Sequence, residues 1–164
     1  MRWIALLAAV ALICGCTQTQ TKCGIEQCHG LDITCGSNVP DACTAMYQLG
    51  DFCREYFSCT AVSGSCQPVV SAKFNECKAC VEGCEGSGDP ITSFDCESTC
   101  RTRMEQYCEA DADCSCGMRK GTDECFYGNS AYVDASRQCP DFCTGIGGNL
   151  VIKCMDRQCK QMTV

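Results

Sequence analysis

The chain has 164 residues, of which 22 are Cys, and a formal net charge of −7. This cysteine share exceeds the roughly 8–10% that marks a disulfide scaffold in short secreted chains, and because the cytosol keeps thiols reduced, it excludes an ordinary cytosolic enzyme. A hydrophobic content of 46% excludes an intrinsically disordered chain, and the acidic balance, with no run rich in Lys or Arg, argues against nucleic acid as a partner.

The first predicted element is an export signal. The apolar run from Trp3 to Ile13 has the length of a signal-peptide core and is too short to span a bilayer. The run ends in LICGC at 12–16, where an apolar residue at −3 and a small residue at −1 precede Cys16. This arrangement resembles the lipobox of prokaryotic membrane lipoproteins. The resemblance implies that residues 1–15 are removed as a signal peptide, that Cys16 is lipidated, and that 16–22 form a flexible tether.

Cysteine parity supports the lipid anchor. If Cys14 leaves with the leader and Cys16 carries lipid, 20 cysteines remain, an even number that can pair completely. The membrane is then the expected partner through acyl chains, because the net negative charge disfavours docking on anionic headgroups. The expected location is the cell envelope or cell surface. The alternative is ordinary signal-peptidase cleavage near Cys16, which gives a freely secreted protein.

The mature chain predicts three helices. Apolar residues at three- and four-residue steps predict an amphipathic helix over 42–57, weakened by Gly50. A second helix is predicted from Ser71 to Cys84. A third follows Asp89-Pro90, where Asp89 provides a cap and Pro90 starts the first turn. A short strand is expected at 150–152.

The second and third helices carry paired cysteines. Cys80 and Cys84 are four residues apart, as are Cys96 and Cys100, so each pair lies on one helix face. Folding the hairpin at its Gly/Pro turn sets Cys80 opposite Cys100 and Cys84 opposite Cys96, which predicts two disulfide bonds. The spacing resembles the twin Cys-x-x-x-Cys helical hairpins of small mitochondrial intermembrane-space proteins, from which only the geometry is carried over. Coincidence among many cysteines is the alternative.

The remaining cysteines divide evenly on either side of this hairpin. The sequence therefore predicts a first Cys-rich lobe at 23–77, the hairpin at 78–107 and a second Cys-rich lobe at 108–164. The expected fold is small, disulfide-rich and α-leaning, with short helices, irregular loops and little strand. The structural cysteines of the two lobes are Cys23, Cys28, Cys35, Cys43, Cys53, Cys59, Cys66, Cys77, Cys108, Cys114, Cys116, Cys125, Cys139, Cys143, Cys154 and Cys159.

Two motifs have the residue types of catalysis. Cys77 and Cys80 form the single Cys-x-x-Cys, but the motif falls in mid-helix with no βαβ pattern around it, so a structural role is favoured over a redox role. His29 is the single histidine, and with no Gly-x-Ser-x-Gly motif in the chain it is interpreted as a loop residue.

Metal binding through sulfur is not predicted, because dense cysteine clusters are absent and the chain carries 12 aromatic residues. Asp111, Asp113 and Ser115 alternate like the start of a calcium loop, but the twelfth loop position is Thr122 instead of Glu. A calcium site of another geometry stays open.

Cys114, Cys116 and Cys125 have the spacing of the closing half of an epidermal-growth-factor-like module. They resemble that half only, since the first half of the pattern is missing. This spacing is kept as a minor alternative.

The sequence thus predicts an exported, lipid-anchored, cysteine-rich envelope or surface protein that acts as a structural or binding module. No catalytic centre, cofactor or metal is expected. Besides the membrane, an envelope protein or an extracellular ligand is the expected partner. The alternatives are an envelope thiol–disulfide oxidoreductase acting through Cys77 and Cys80, and a secreted soluble effector or inhibitor.

Overall fold

Ten disulfide bonds connect small antiparallel sheets and short helices in the computed structural model, which describes residues 22–84 and 90–164. The predicted leader, the lipidation site Cys16, the tether up to residue 21 and the predicted cap Asp89 lie outside the described residues. The strands are β1 (Gly24–Ile25), β2 (Cys35–Gly36), β3 (Phe57–Val62), β4 (Ser65–Val70), β5 (Cys114–Arg119), β6 (Cys125–Asn129), β7 (Val133–Asp134), β8 (Leu150–Met155) and β9 (Gln158–Thr163). The α-helices are α1 (Ala72–Glu82), α2 (Pro90–Glu105) and α3 (Pro140–Thr144), and 3-10 helices cover Asp51–Tyr56 and Asp111–Asp113.

Strands contribute as much to the fold as helices do. The sheets have the strand orders β1-β2, β3-β4, β6-β5-β7 and β8-β9, and strand and helix account for 31% and 29% of the described residues. The expected α-leaning fold with little strand is therefore wrong. Most of these strands belong to short hairpins that lie at the surface and are held by disulfides, so they lack the alternation of apolar and polar residues that identifies a half-buried strand. The strand expected at 150–152 is confirmed as part of β8.

The helix predicted over 42–57 is also wrong. The chain has no regular structure from 42 to 48, then forms the 3-10 helix Asp51–Tyr56 and enters β3 at Phe57. Gly50 precedes the 3-10 helix with a φ of +87°, in the left-handed region that favours glycine. A Cβ atom at this position would lie 2.8 Å from Leu31 Cδ1 and 2.9 Å from Val81 Cγ1. Gly50 thus marks a tightly packed chain reversal, and the apolar residues around it reach the core from different elements.

Replacing Gly50 by Ala is expected to lower the free energy of unfolding by about 2–3 kcal/mol, because a left-handed backbone strains the new residue and its methyl group overlaps buried side chains. Gly64→Ala is the matched control: its φ is +82°, and a Cβ atom there would have no other atom within 4 Å. The control substitution is expected to lower the free energy of unfolding by about 1 kcal/mol, because it introduces only the strain of the left-handed backbone. Guanidinium unfolding of the oxidised proteins measures both, and equal losses would contradict the tight packing around Gly50.

The helices predicted from Ser71 and after Asp89 are confirmed. Ser71 caps α1, since its Oγ accepts a hydrogen bond from the Phe74 amide at 3.0 Å. α2 then runs from Pro90 to Glu105 and packs against α1.

Two disulfides cross-link α1 and α2. Cys80 is bonded to Cys100 and Cys84 to Cys96, the pairs that follow from the hairpin spacing. The cross-linked helices are one part of a mixed fold and do not dominate it. Among the described residues, no helix is long and apolar enough to cross a bilayer.

Cystine sulfur fills much of the interior. Seven of the fifteen buried hydrophobic residues of the described chain are cysteines. The main cluster joins the first lobe to the helices through Phe52, Phe57, Phe74, Val81 and Met104, with Phe57 and Phe74 in edge contact at 5.0 Å between ring centres. The interior is therefore stabilised by disulfide bonds as well as by apolar packing.

The disulfides fall into three groups along the chain. Four close within 23–77, two join the helices, and four close within 108–159, so no disulfide of the described residues links one lobe to the other. The lobe pairs are Cys23–Cys66, Cys28–Cys43, Cys35–Cys59, Cys53–Cys77, Cys108–Cys154, Cys114–Cys159, Cys116–Cys143 and Cys125–Cys139.

Candidate functional site

A cleft of about 460 Å³ opens where the first lobe meets the second. Tyr56 and Lys73 form its wall on the first lobe, and Tyr107 and Asn129 form the opposite wall. The hydroxyl groups of Tyr56 and Tyr132 approach to 3.3 Å across the junction. We call this feature the interlobe cleft.

Local hydrogen bonds fix both walls of the interlobe cleft. Ser71 donates its hydroxyl to the Tyr56 carbonyl at 2.7 Å while it caps α1, so Tyr56 at the end of the 3-10 helix and Lys73 in the first turn of α1 are held together. On the second wall, the Asn129 side-chain amide donates to the Tyr107 carbonyl at 2.9 Å. The cleft is thus built on the ends of regular elements.

The ammonium group of Lys73 lies among three tyrosine rings. Its Nζ is 4.2 Å from the ring centre of Tyr56, 5.1 Å from that of Tyr132 and 5.9 Å from that of Tyr107. These distances are in the range of cation–π attraction. Within the described ranges, no carboxylate is close enough to Lys73 Nζ to form an ion pair with it. Nζ also donates a hydrogen bond to the Tyr132 hydroxyl at 3.5 Å, so the tyrosines are the main partners of this cation.

Tyr56 and Tyr107, the two tyrosines that line the cleft, have raised pKa values and remain neutral phenols at physiological pH. Burial, together with hydrogen bonding to Glu55 and Tyr132, raises the pKa of Tyr56 far above its ordinary value. Burial also raises the pKa of Tyr107. Neutral rings keep the negative face that attracts a cation and add no charge of their own.

Carboxylates dominate the charge at the mouth of the cleft. Glu55, Glu109 and Asp113 line it beside the single ammonium of Lys73. Asp113 is engaged, because its carboxylate accepts hydrogen bonds from the Glu109 and Ala110 amides, which lower its pKa. Glu55 and Glu109 are exposed. The site therefore combines aromatic faces with two accessible negative charges, a combination that suits non-covalent binding of a cation.

Comparison with known protein families, curated proteins and solved structures finds no match to this chain. The geometry of the interlobe cleft is therefore the basis for assigning a function.

The structure separates the two cysteines of the Cys-x-x-Cys motif. Cys77 is bonded to Cys53 and is fully buried, whereas Cys80 is bonded to Cys100. A thiol–disulfide active site needs these two sulfurs to pair with each other and the first to be accessible. The observed pairing does not provide that arrangement.

The cysteines that resemble half of a growth-factor-like module also have separate partners. Cys114 pairs with Cys159, Cys116 with Cys143 and Cys125 with Cys139, so none of the three pairs with another.

The acidic turn considered for calcium is used for local structure. Asp111 accepts a hydrogen bond from the Cys154 amide at 2.9 Å, and Asp113 holds the turn through the Glu109 and Ala110 amides. Among the described residues, the side-chain groups close enough to share a metal ion consist entirely of cysteines that are bonded in disulfides. Neither arrangement offers a free set of metal ligands.

His29 lies in a bend, as expected for a loop residue, but it is firmly held. Its Nδ1 is 2.7 Å from Asp51 Oδ2 and its Nε2 is 3.3 Å from Thr44 Oγ1. Burial alone would raise the pKa of Asp51, but the amides of Gln48 and Gly30 and the His29 ring together lower it. The Asp51 carboxylate thus connects the loop around His29 to the start of the 3-10 helix. This structural role was not predicted from the sequence.

Sequence reasoning also missed the interlobe cleft. Lys73 and the three rings around it come from positions spread between Tyr56 and Tyr132, 76 residues apart, and from both lobes. No local spacing of residues in the sequence predicts such a group. The only signal in the sequence was the presence of five Tyr in an acidic, Cys-rich chain.

Proposed function

We propose that this protein is a lipid-anchored module of the cell envelope or cell surface that binds a ligand bearing an ammonium or guanidinium group in the interlobe cleft, without a catalytic role. The chain is a small, heavily disulfide-bonded protein consistent with an exported module, and its ten disulfides indicate an oxidising compartment. The finer parts of the proposal are the anchor at Cys16 and the binding activity.

The position of the Lys73 ammonium carries the binding proposal. Three tyrosine rings already surround one primary ammonium, so the cleft is chemically matched to that group. Glu55 and Glu109 extend this preference to the mouth of the cleft, and the formal net charge of −7 attracts cations over a longer range. A ligand cation is expected to bind beside Lys73 or in its place, with its charge toward the two carboxylates.

Tyrosine fluorescence provides a direct binding test. The single Trp of the chain is Trp3, within the predicted leader, so the mature protein reports through its tyrosines. We expect spermidine and N-acetyl-lysine methylamide to change this fluorescence saturably, and N-acetyl-norleucine methylamide, which lacks the charge, to have no effect. Binding is expected to weaken at high salt, since the carboxylates are exposed.

Charge-neutralising variants locate the site. Glu55→Gln combined with Glu109→Gln is expected to weaken binding about tenfold, the loss of two partly exposed charge contacts. Glu124→Gln, an exposed carboxylate of the second lobe outside the cleft, is the matched control and is expected to bind normally. Cationic probes without a saturable effect, or equal effects of both changes, would contradict the proposed site.

Detergent phase partitioning tests the anchor. The mature protein made with its own leader in a bacterial host is expected to enter the detergent phase, because a diacylated or triacylated Cys is strongly apolar. Cys16→Ala is expected to move it to the aqueous phase. If both forms stay aqueous, the lipid anchor is contradicted and the freely secreted form is favoured.

A further inference from the structure

We infer that the outward face of the β3–β4 hairpin is the surface that this protein turns toward the phospholipid bilayer. The inference rests on the lipid anchor proposed at Cys16. We call this surface the hairpin face, and it consists of Ser58, Thr60, Val62, Ser65, Gln67 and Val69.

The tether reaches the folded body at the tip of this hairpin. Cys23 is bonded to Cys66 of β4, and Cys66 lies opposite Ala61, one pair before the Val62–Ser65 pair that flanks the Ser63-Gly64 turn. The disulfide thus fixes the end of the tether at the hairpin tip.

The tether is also short. Seven residue steps separate Cys16 from Cys23, so the sulfur that carries lipid lies at most about 25 Å from Cys23. A globule of this chain length has a radius of gyration of about 14 Å and a diameter of roughly 37 Å. The tip is therefore the part of the body that the anchor holds closest to the membrane.

The hairpin face is exposed along its whole length, whereas the opposite face of the same sheet is partly covered by the lobe. In the antiparallel register Val62 pairs with Ser65, and directly opposite residues share one face of the sheet. On the other face Phe57 is buried in the core and Cys59 is bonded to Cys35, whereas Ala61, Pro68 and Val70 are exposed. On the hairpin face all six side chains are exposed, including Val62 at 50% and Val69 at 45%.

The hairpin also lacks charge. Residues 56–72 contain no Asp, Glu, Lys, Arg or His, and they form the longest uncharged run of the described chain. Elsewhere the protein is acidic, and its carboxylates are repelled by anionic headgroups. Near the tip, Lys22 is paired with Asp41 at 3.1 Å, and Glu26 accepts a hydrogen bond from the Asn38 amide.

The composition of the hairpin face fits shallow contact. Ser, Thr and Gln side chains can bond to headgroup oxygens or water, and the two valines can lie at the boundary with the acyl chains. The hairpin face therefore adds no charge repulsion of its own and fits contact without deep insertion.

Tryptophan quenching in vesicles tests the surface. Val62→Trp or Val69→Trp places a reporter on the hairpin face. Ile146→Trp is the matched control, because Ile146 is an apolar side chain of the second lobe that is 95% exposed. The full mature chain, with Cys16 as its only free thiol, is coupled to a maleimide phospholipid in phosphatidylcholine–phosphatidylglycerol vesicles that contain a headgroup nitroxide lipid. This coupling sets the anchor chemically and makes the test independent of natural lipidation.

We expect both hairpin reporters to be quenched about threefold more strongly than the Ile146 reporter, given the reach of the tether. Equal quenching at the three positions, or stronger quenching at 146, overturns the inference. Concentration-dependent burial of the hairpin reporters in lipid-free protein also overturns it, because it identifies a second copy of the chain as the occupant. Flotation of the naturally produced protein with vesicles is scored separately, so failure of the anchor is distinguished from failure of the surface.

Discussion

Reduction and alkylation of the ten disulfides is expected to unfold this protein completely in the absence of denaturant. Each bridge of this kind contributes about 2–4 kcal/mol, non-additively, whereas the net stability of a folded domain is only about 5–15 kcal/mol. The apolar interior cannot make up the loss, since seven of its fifteen buried hydrophobic residues in the described chain are themselves cysteines. Removing the crosslinks therefore removes both the restraint on the unfolded chain and a large part of the packed core.

Circular dichroism and hydrodynamic radius measure the effect. The oxidised protein treated with the same alkylating reagent is the control, and it is expected to keep its spectrum and to show no free thiol among the 20 cysteines from Cys23 to Cys159. A reduced, alkylated protein that retains the native spectrum and radius would contradict the role assigned to the disulfides.

The elements that the sequence predicted well carry strong local signals. Ser71 stands before a stretch with apolar residues on one face and acts as the cap of α1, and the strand at 150–152 is a short aliphatic run in which Val151 and Ile152 are β-branched. Two facing helices allow few disulfide pairings among four cysteines with this spacing, which are Cys80, Cys84, Cys96 and Cys100. In each case, a local rule and the tertiary structure agree.

The elements that could not be predicted from the sequence depend on contacts between residues that are far apart in the chain. The residues from 42 to 57 have helical periodicity, yet Cys43 is bonded to Cys28, Cys53 is bonded to Cys77, and Gly50 sits in a chain reversal. These two disulfides connect the segment to positions 15 and 24 residues away, and a single helix cannot place both cysteines next to their partners. Crosslink connectivity, which cannot be deduced from one sequence, overrides periodicity here.

The interlobe cleft was beyond prediction for a related reason. Its rings come from both lobes, and no disulfide of the described chain joins those lobes. The docking of one lobe on the other depends on contacts such as Tyr56 with Tyr132 and Glu76 with Arg157, at 3.7 Å for the ion pair. These contacts leave no spacing pattern in the sequence.

Replacing Cys53 and Cys77 together by Ala is expected to destabilise the protein more than any other paired removal within the first lobe. This bridge ties the 3-10 helix to α1, and both of its cysteines are fully buried. The loop term for its 24-residue separation is about 3 kcal/mol. Loss of two buried sulfur atoms adds about 2 kcal/mol, because the surrounding core can close the space only in part.

Cys28→Ala with Cys43→Ala is the control that separates crosslinking from packing. Its separation of 15 residues gives nearly the same loop term, about 3 kcal/mol, but Cys43 is exposed and little packing is lost. Both variants are refolded in a glutathione buffer and unfolded with guanidinium. The free energy of unfolding is expected to be about 2 kcal/mol higher for the control than for the variant that lacks Cys53 and Cys77. If the two losses are equal, the disulfides act through chain restraint alone. The buried sulfur would then be a by-product of crosslinking, and the core would owe its stability to its aromatic and aliphatic side chains.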